Sequence, residues 1–181
     1  MMEDFTDAVQ INFLGTVYMT SAITSIMKSI SRKKIVIITG GGATSSFPNY
    51  TAYATSKIAL VRFTENLSIE LREDEFDVNC IAPGFVNTRL HQDTLDAGEE
   101  KAGKEFYNKT KKQLALGGVK PEMAAALCSF LLSSDSDGIS GKLISAPWDP
   151  WRQESFRKAL RKDRDLATLR RIDDKSYAKK S

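Results

Sequence analysis

The chain has 181 residues, of which 41% are hydrophobic and 27% are charged. This length and composition are typical of one globular domain and exclude a disordered chain, a collagen-like repeat and a small disulfide-rich domain. The net charge is +3, but residues 151–181 carry +6 and residues 1–150 carry −3.

Helices and strands alternate along the chain. The apolar patterns predict a helix over 4–29, a strand over 34–39, a helix over 51–73, a strand over 78–82, a helix over 102–116, a helix over 121–132 and a strand over 142–146. The strands are short apolar runs, as expected where a strand is buried on both faces. This alternation predicts an α/β fold with a parallel sheet and right-handed crossovers. Three strands are few for a free-standing doubly wound sheet, so we expect the second half of such a fold.

The C-terminal segment differs from the rest in charge. We therefore divide the chain into a partial domain over 1–150 and a basic, helical extension over 151–181. Acidic residues lie among the basic ones, and there is no ladder of aromatic residues. This pattern favours a helix that packs on its own domain or on a subunit partner over binding to nucleic acid.

Cysteine and histidine usage is sparse. Cys80 and Cys128 have apolar neighbours, which predicts two buried free thiols in a reducing compartment. A single histidine, His91, gives little support for a metal site or a Ser-His-Asp triad, and we expect no metal. Solvent exposure of His91 is a better interpretation than contact with substrate. No membrane span or signal peptide is predicted, so we expect a cytoplasmic protein.

The main chemical signal is the pair Tyr53 and Lys57. Their spacing of four residues places both side chains on one face of the second predicted helix. A phenol titrates near pH 10, and a nearby ammonium favours its deprotonated form. Such a pair can transfer a proton to or from an alcohol oxygen. The pattern is weak by itself, because exposed Tyr-Lys pairs on helices are common.

The order of the surrounding motifs makes the signal specific. The chain has a helix with Asn12, a buried strand, a glycine-rich turn, the helix with Tyr53 and Lys57, the motif P-G-x-x-x-T from Pro83, then Ser133-Ser134-Asp135 and Ile139-Ser140-Gly141. Over about residues 5–146 the sequence resembles the short-chain dehydrogenase/reductase family. The resemblance implies a Rossmann-like doubly wound sheet and an oxidoreductase that uses NAD or NADP on a small carbonyl or alcohol substrate. It also implies a homo-oligomer formed through the long helices.

The resemblance implies a role for individual residues. Tyr53 is similar to the general acid/base, and Lys57 to the residue that binds the nicotinamide ribose and lowers the pKa of the tyrosine. Asn12 is similar to the asparagine that holds a proton-relay water, although a bond to neighbouring backbone is an alternative for its side chain. The implied cofactor contacts are Tyr53, Lys57, Pro83, Gly84, Val86 and Thr88.

One position departs from the family pattern. The serine that polarises the substrate carbonyl usually lies 13 residues before the tyrosine, and that position is Gly40 here. Thr39 is the first candidate to replace it, and Ser45 and Ser46 are weaker candidates. Weak or absent carbonyl activation is the remaining alternative.

A second departure concerns the cofactor phosphates. The family's G-x-x-x-G-x-G motif, which binds pyrophosphate at a helix N-terminus, does not occur in the 181 residues. The residue that selects NAD or NADP is missing with it. We therefore expect a truncated product or an incomplete gene model. The alternative function is a catalytically silent fragment that serves only as an oligomerisation or interaction module.

Overall fold

A computed structural model describes residues 2–27 and 31–171. Its elements are α1 (Met2–Ala8), a π-helical turn (Val9–Leu14), α2 (Gly15–Met27), β1 (Lys33–Ile38), a 3-10 turn (Gly41–Ala43), α3 (Thr51–Glu70), β2 (Phe76–Ala82), α4 (Arg89–Ala102, broken at Gly98), α5 (Lys104–Ala115), α6 (Pro121–Leu132), a 3-10 turn (Ser134–Ser136), β3 (Leu143–Ser145) and α7 (Glu154–Lys162). Within this part of the chain, no helix has the length and hydropathy needed to span a bilayer.

The three strands form one parallel sheet in the order β1-β2-β3. Cys80 in β2 lies opposite Ile37 on one side and Leu143 on the other. Parallel pairing requires a crossover between consecutive strands, and the helices α3 and α6 lie in the two crossovers. The predicted α/β fold with a Rossmann-like parallel sheet is confirmed.

Helices cover both faces of the sheet because successive side chains of a strand point to opposite faces. On one face, Ile37 and Cys80 pack against Leu60 and Val61 of α3, and Phe13 of the π-helical turn joins them. The opposite face has its own core, built from strand, α6 and C-terminal residues: Ile81, Leu127, Phe130, Leu131, Ile139, Ile144, Ala146, Trp151 and Leu160. The two long helices predicted from the sequence therefore share one face.

Two helical regions differ from the sequence-based expectation. The first helix is interrupted by the π-helical turn, and its expected last residues, 28–29, lie outside the described part of the chain. The helix expected over 102–116 matches α5 to within two residues, but the expectation of only one helix in the polar segment is wrong, because α4 precedes α5 and is separated from it at Gly103. Gly103 has φ +82°, a conformation that glycine adopts without steric cost. The polar sequence of α4 lacks the apolar stripe that would have revealed it.

The C-terminal extension packs into the domain. Trp151 and Leu160 are only 3% and 2% exposed. After α7, residues 163–171, which we call the strap, continue without helix to α3. The buried Lys142 ammonium donates to the carbonyls of residues 163, 164 and 166, and the buried Glu65 carboxylate accepts from the Leu169 amide at 2.8 Å. The helix prediction therefore holds for α7 and fails for the strap, and residues 172–181 lie outside the described part.

The two thiols should differ in reactivity. Cys80 is fully buried in β2, and burial raises its pKa to about 12. Cys128 on α6 is only half-buried, which corrects the expectation of two buried thiols, although burial also raises its pKa. Because the thiolate is the reactive form, we expect a thiol-specific reagent to modify Cys128 first and Cys80 only on unfolding. Mass spectrometry of the wild-type chain and of Cys128→Ser would measure this, and rapid labelling of Cys80 in the native protein would contradict it.

Candidate active site

Tyr53 and Lys57 lie in the first two turns of α3, at the carboxyl end of β1. The Lys57 ammonium donates to the carbonyl of Ile38, the last residue of β1, at 3.3 Å. The half-buried Tyr53 hydroxyl lies against Gly40, two residues further along. In open α/β sheets this end of the strands is where ligands bind. Tyr53 and Lys57 therefore lie together at the edge of the sheet where ligands bind in this class of fold.

Gly40 leaves room for the tyrosine. A Cβ atom at Gly40 would overlap the Tyr53 hydroxyl and lie 3.2 Å from its Cζ atom. The backbone of Gly40 is extended, with φ −167°, so space and not conformation excludes a side chain. A serine at this position would require Tyr53 to move.

The hydroxyls of Thr39 and Ser45 both bond main-chain carbonyls in the structure. Thr39 is 2% exposed, and its hydroxyl donates to the main-chain carbonyl of Lys57 at 3.1 Å. The hydroxyl is therefore engaged between β1 and α3, where it holds the turn that carries Lys57. Ser45 and Ser46 are exposed, and the Ser45 hydroxyl donates back to Gly41 within the loop.

Asn12 contacts the same helix through a residue that the sequence analysis missed. The Asn12 amide donates to the Ser56 hydroxyl at 3.1 Å, and that hydroxyl donates to the Tyr53 carbonyl at 2.7 Å. Ser56 is 1% exposed, so this chain of bonds is shielded from water. Asn12 lies in the π-helical turn, a feature that is frequent at functional sites. Its amide thus bonds a side chain 44 residues away and not the neighbouring backbone.

Burial is the main cause of the pKa shifts of Tyr53 and Lys57. It raises the pKa of Tyr53 and lowers the pKa of Lys57. The expected lowering of the Tyr53 pKa by Lys57 is therefore not found. The Lys57 ammonium lies 5.8 Å from the centre of the tyrosine ring and bonds the Ile38 carbonyl instead of the phenol.

A pH titration would test this direction. Without added cofactor, the Tyr53 phenolate should form at a higher pH than that of an ordinary tyrosine, whose pKa is 10.0. The chemical shift of the ring Cζ carbon reports the ionisation, and comparison with Tyr53→Phe assigns the signal. A Tyr53 midpoint below the ordinary value would show that Lys57 outweighs burial.

The four loop residues expected to contact a cofactor follow β2 directly. Pro83, Gly84, Val86 and Thr88 lie between β2 and α4, at the same edge of the sheet as Tyr53 because β1 and β2 are parallel. Gly84 has φ +85°, and a Cβ there would come within 2.8 Å of Pro147. Thr88 is exposed, and its hydroxyl makes no capping bond to α4. The Thr88 hydroxyl and the Lys57 ammonium can both donate hydrogen bonds, which suits the ribose and nicotinamide end of a dinucleotide.

Aromatic residues close one side of the site. Phe47 meets the Tyr53 ring edge-on at 6.2 Å and stacks on Tyr50 at 4.7 Å. Phe106 from α5 packs edge-on against Phe47 at 4.5 Å. The sequence analysis missed Phe106, which joins the site only through the fold of the polar segment over 87–118.

His91 is not a solvent-exposed loop residue. It lies in the first turn of α4, half-buried, and its ring stacks on Phe85 at 3.7 Å. Burial lowers its pKa, which favours the neutral ring. No three His, Cys, Asp or Glu side chains in the described ranges come together as metal ligands.

The fold matches that of known oxidoreductases. The structure of a variant actinorhodin polyketide ketoreductase with NADPH superposes with a TM-score of 0.70 at 21% identity, over 80% of this chain and 58% of that one. The structure of NAD⁺-bound xylitol dehydrogenase gives a TM-score of 0.69 at 24% identity, over 80% of this chain and 59% of that one. At these identities the likeness establishes the fold.

Sequence comparison establishes the family. Residues 1–146 match a family model described as enoyl-(acyl carrier protein) reductase. The pig protein dehydrogenase/reductase SDR family member 4 is 35% identical over 136 residues, which cover 75% of this chain and 47% of the relative. The chain thus spans about half the length of the curated relatives that it matches. On this evidence the chain belongs to the short-chain dehydrogenase/reductase family.

Proposed function

We propose that these residues carry the proton-transfer machinery of an oxidoreductase that interconverts a carbonyl and an alcohol with NAD or NADP. The observation that carries this proposal is the Tyr53 hydroxyl at the carboxyl edge of the sheet, one helical turn from Lys57. Membership of an oxidoreductase family supports it.

Tyr53 acts as the general acid when a carbonyl is reduced. The raised pKa keeps its hydroxyl protonated at neutral pH, so it can donate a proton to the developing alkoxide. Alcohol oxidation requires the opposite transfer to a phenolate, and this direction should become faster as the pH rises towards the Tyr53 pKa. The nicotinamide ring, when bound, supplies or accepts the hydride.

Ser56 and Thr39 position the catalytic helix. Ser56 links the first turn of α3 to Asn12, and Thr39 holds the carbonyl of Lys57. Both are almost fully buried, so both bonds persist when the cleft is filled. In this proposal the bond from Asn12 to Ser56 helps to hold α3 in position. We also propose that Asn12 holds a proton-relay water.

The cofactor is assigned to the edge formed by Lys57 and the loop after β2. In this assignment the Lys57 ammonium binds the ribose hydroxyls, and the loop residues Pro83, Gly84, Val86 and Thr88, which follow the neighbouring strand, contact the nicotinamide end. The NADPH and NAD⁺ of the two structural relatives support the cofactor class and leave the choice between them to experiment.

Self-association through the long helices is part of the same proposal. Ile11, Tyr18 and Ile26 along the first helical region are 74%, 68% and 75% exposed. Exposed apolar residues on one element are a feature of interaction surfaces. These exposed residues also favour the alternative function, a catalytically silent interaction module.

Binding of dinucleotides to the 181-residue chain tests the proposal. A pyrophosphate-binding turn offers several charge-assisted hydrogen bonds of about 1.5–3 kcal/mol each, and its motif is not in this sequence. We expect NAD(H) and NADP(H) to bind in the millimolar range at best and to support no measurable turnover. A micromolar dissociation constant in calorimetric titration would contradict this expectation.

Saturation-transfer NMR identifies the part of the dinucleotide that is bound. The strongest transfer should reach the nicotinamide and its ribose, and Lys57→Ala should abolish it. Lys111→Ala, which removes an exposed ammonium from α5, is the control. Transfer centred on the adenine, or transfer unaffected by Lys57→Ala, would contradict the assigned cofactor edge.

A further inference from the structure

A cavity lies at the end of the sheet opposite to Tyr53. Its volume is about 670 Å³. The start of β2, the turn over 138–142 before β3, the last turns of α3, the end of α7 and the strap line it. Parallel strands place these segments at the amino ends of the strands, away from the candidate active site.

The lining of this cavity is strongly basic. Eight of its residues are Arg or Lys and three are Asp or Glu. Two of the three acids already have cationic partners. The buried Glu65 pairs with Arg62 and, at 3.0 Å, with Arg170, and Asp77 pairs with Lys34 at 2.9 Å. Glu75 is the remaining acid of the lining.

Three of the other six cations of the lining are already engaged. Arg32 pairs with Asp137 at 3.3 Å, Lys142 donates to strap carbonyls, and Arg161 donates to the carbonyls of residues 135 and 137. Arg72, Lys162 and Arg164 are exposed and have no carboxylate within ion-pair distance in the described part of the chain. The cavity therefore has an excess of positive charge, contributed by groups that are free to bind a ligand.

The walls of the cavity are fixed by the core. Lys142 and Glu65 are 4% and 6% exposed and hold the strap in place from both sides. A Cβ atom at Gly141 would lie 2.6 Å from the Ser68 hydroxyl, so the turn before β3 lies directly on α3. The backbone that carries the free cations is therefore fixed, and binding a ligand must order only the cationic side chains themselves.

We propose that this cavity binds a small molecule that carries two or more phosphate groups. Guanidinium groups bind phosphate oxygens in pairs of parallel hydrogen bonds, and the cavity volume lies within the usual range for ligand sites, about 300–1,000 Å³. Residues 172–181 contain three lysines and two aspartates, so their net charge does not complement a basic cavity. Charge complementarity therefore selects an external polyanion as the occupant.

Titration of the 181-residue chain with inorganic tripolyphosphate tests this proposal. We expect saturable one-to-one binding, and the double variant Lys162→Ala/Arg164→Ala should weaken it at least about tenfold. The control Lys109→Ala/Lys111→Ala removes the same charge from the exposed face of α5 and should change binding by less than about twofold, because screening limits distant charges. Arg72→Ala should weaken binding independently. All these side chains are exposed, so thermal unfolding should show an unchanged fold.

Amide NMR locates the bound anion. The largest shift changes should fall on the turn over 138–142 and on the end of α7, and Tyr53→Phe should leave binding unchanged, which separates this proposal from the proposed function. Equal losses in the two double variants would indicate long-range charge only and would overturn the site. The proposal would also be overturned if binding did not saturate at millimolar tripolyphosphate, or if the shift changes fell elsewhere. A salt-resistant dimer that covers the cavity, or citrate bound as tightly as tripolyphosphate, would overturn it as well.

Discussion

Replacing Tyr53 with phenylalanine is expected to lower carbonyl reduction by about 10²–10⁴-fold when the chain is fused to the dinucleotide-binding segment of a family relative, the range for loss of a positioned general acid. The substitution removes one oxygen and keeps the ring that packs against Phe47. Because the hydroxyl makes its contact at Gly40 and not in the core, the fold should be unaffected. Steady-state reduction of a carbonyl substrate would measure the effect.

A matched control separates proton transfer from a general effect of losing a phenol. Tyr18→Phe makes the same chemical change on α2, where the side chain is 68% exposed to solvent. Its turnover should equal that of the wild type. Full activity of Tyr53→Phe would refute the assignment of Tyr53 as the acid, whereas a parallel loss in both variants would point to altered assembly.

Truncating Leu127 to alanine should destabilise the domain by about 2–5 kcal/mol. Leu127 lies on α6 with no exposed surface, within the core that also contains Ile81 and Ile144. Removing its methyl groups takes away apolar burial and leaves a cavity that its neighbours fill only in part. The free energy of unfolding from urea titration would measure the loss.

Leu132→Ala is the control for this truncation. Leu132 lies on the same helix and is 53% exposed, so the identical change should cost less than about 1 kcal/mol. Similar losses in both variants would mean that helix propensity and not core packing explains the effect. An unperturbed Leu127→Ala variant would contradict the described position of α6 on the sheet.

The elements that sequence predicts well are those set by local pattern. The β-branched run over 34–39 and the apolar run over 78–82 predict β1 and β2 to within two residues, because a strand buried on both faces needs continuous apolar side chains. The Tyr53–Lys57 spacing predicts a shared helix face for the same kind of reason. A local pattern contains no such signal for α4, the strap or the π-helical turn, which depend on contacts between distant segments.

The details of the site depend on three-dimensional burial. The sequence shows a glycine in place of a serine, but the contact between Gly40 and the Tyr53 hydroxyl requires the fold. Ser56 is one residue from Lys57, and only the approach of the π-helical turn makes it a bridge to Asn12. The direction of the Tyr53 pKa also depends on how deeply α3 is covered, which no residue spacing reveals.

The π-helical turn has a consequence for insertions and deletions. Bonds from residue i to i+5 accommodate one more residue than an α-helical turn, and each residue rotates a helix by about 100°. Deleting one residue between Val9 and Leu14 would allow α1 and α2 to merge into a continuous helix. The segment before the deletion would rotate about the helix axis, and α2 would keep its orientation. Loss of Phe13 would therefore turn Asn12 away from Ser56. A single codon lost here would thus act as a change of angle: it would disconnect Asn12 from the catalytic helix and take one side chain, that of Phe13, from the core.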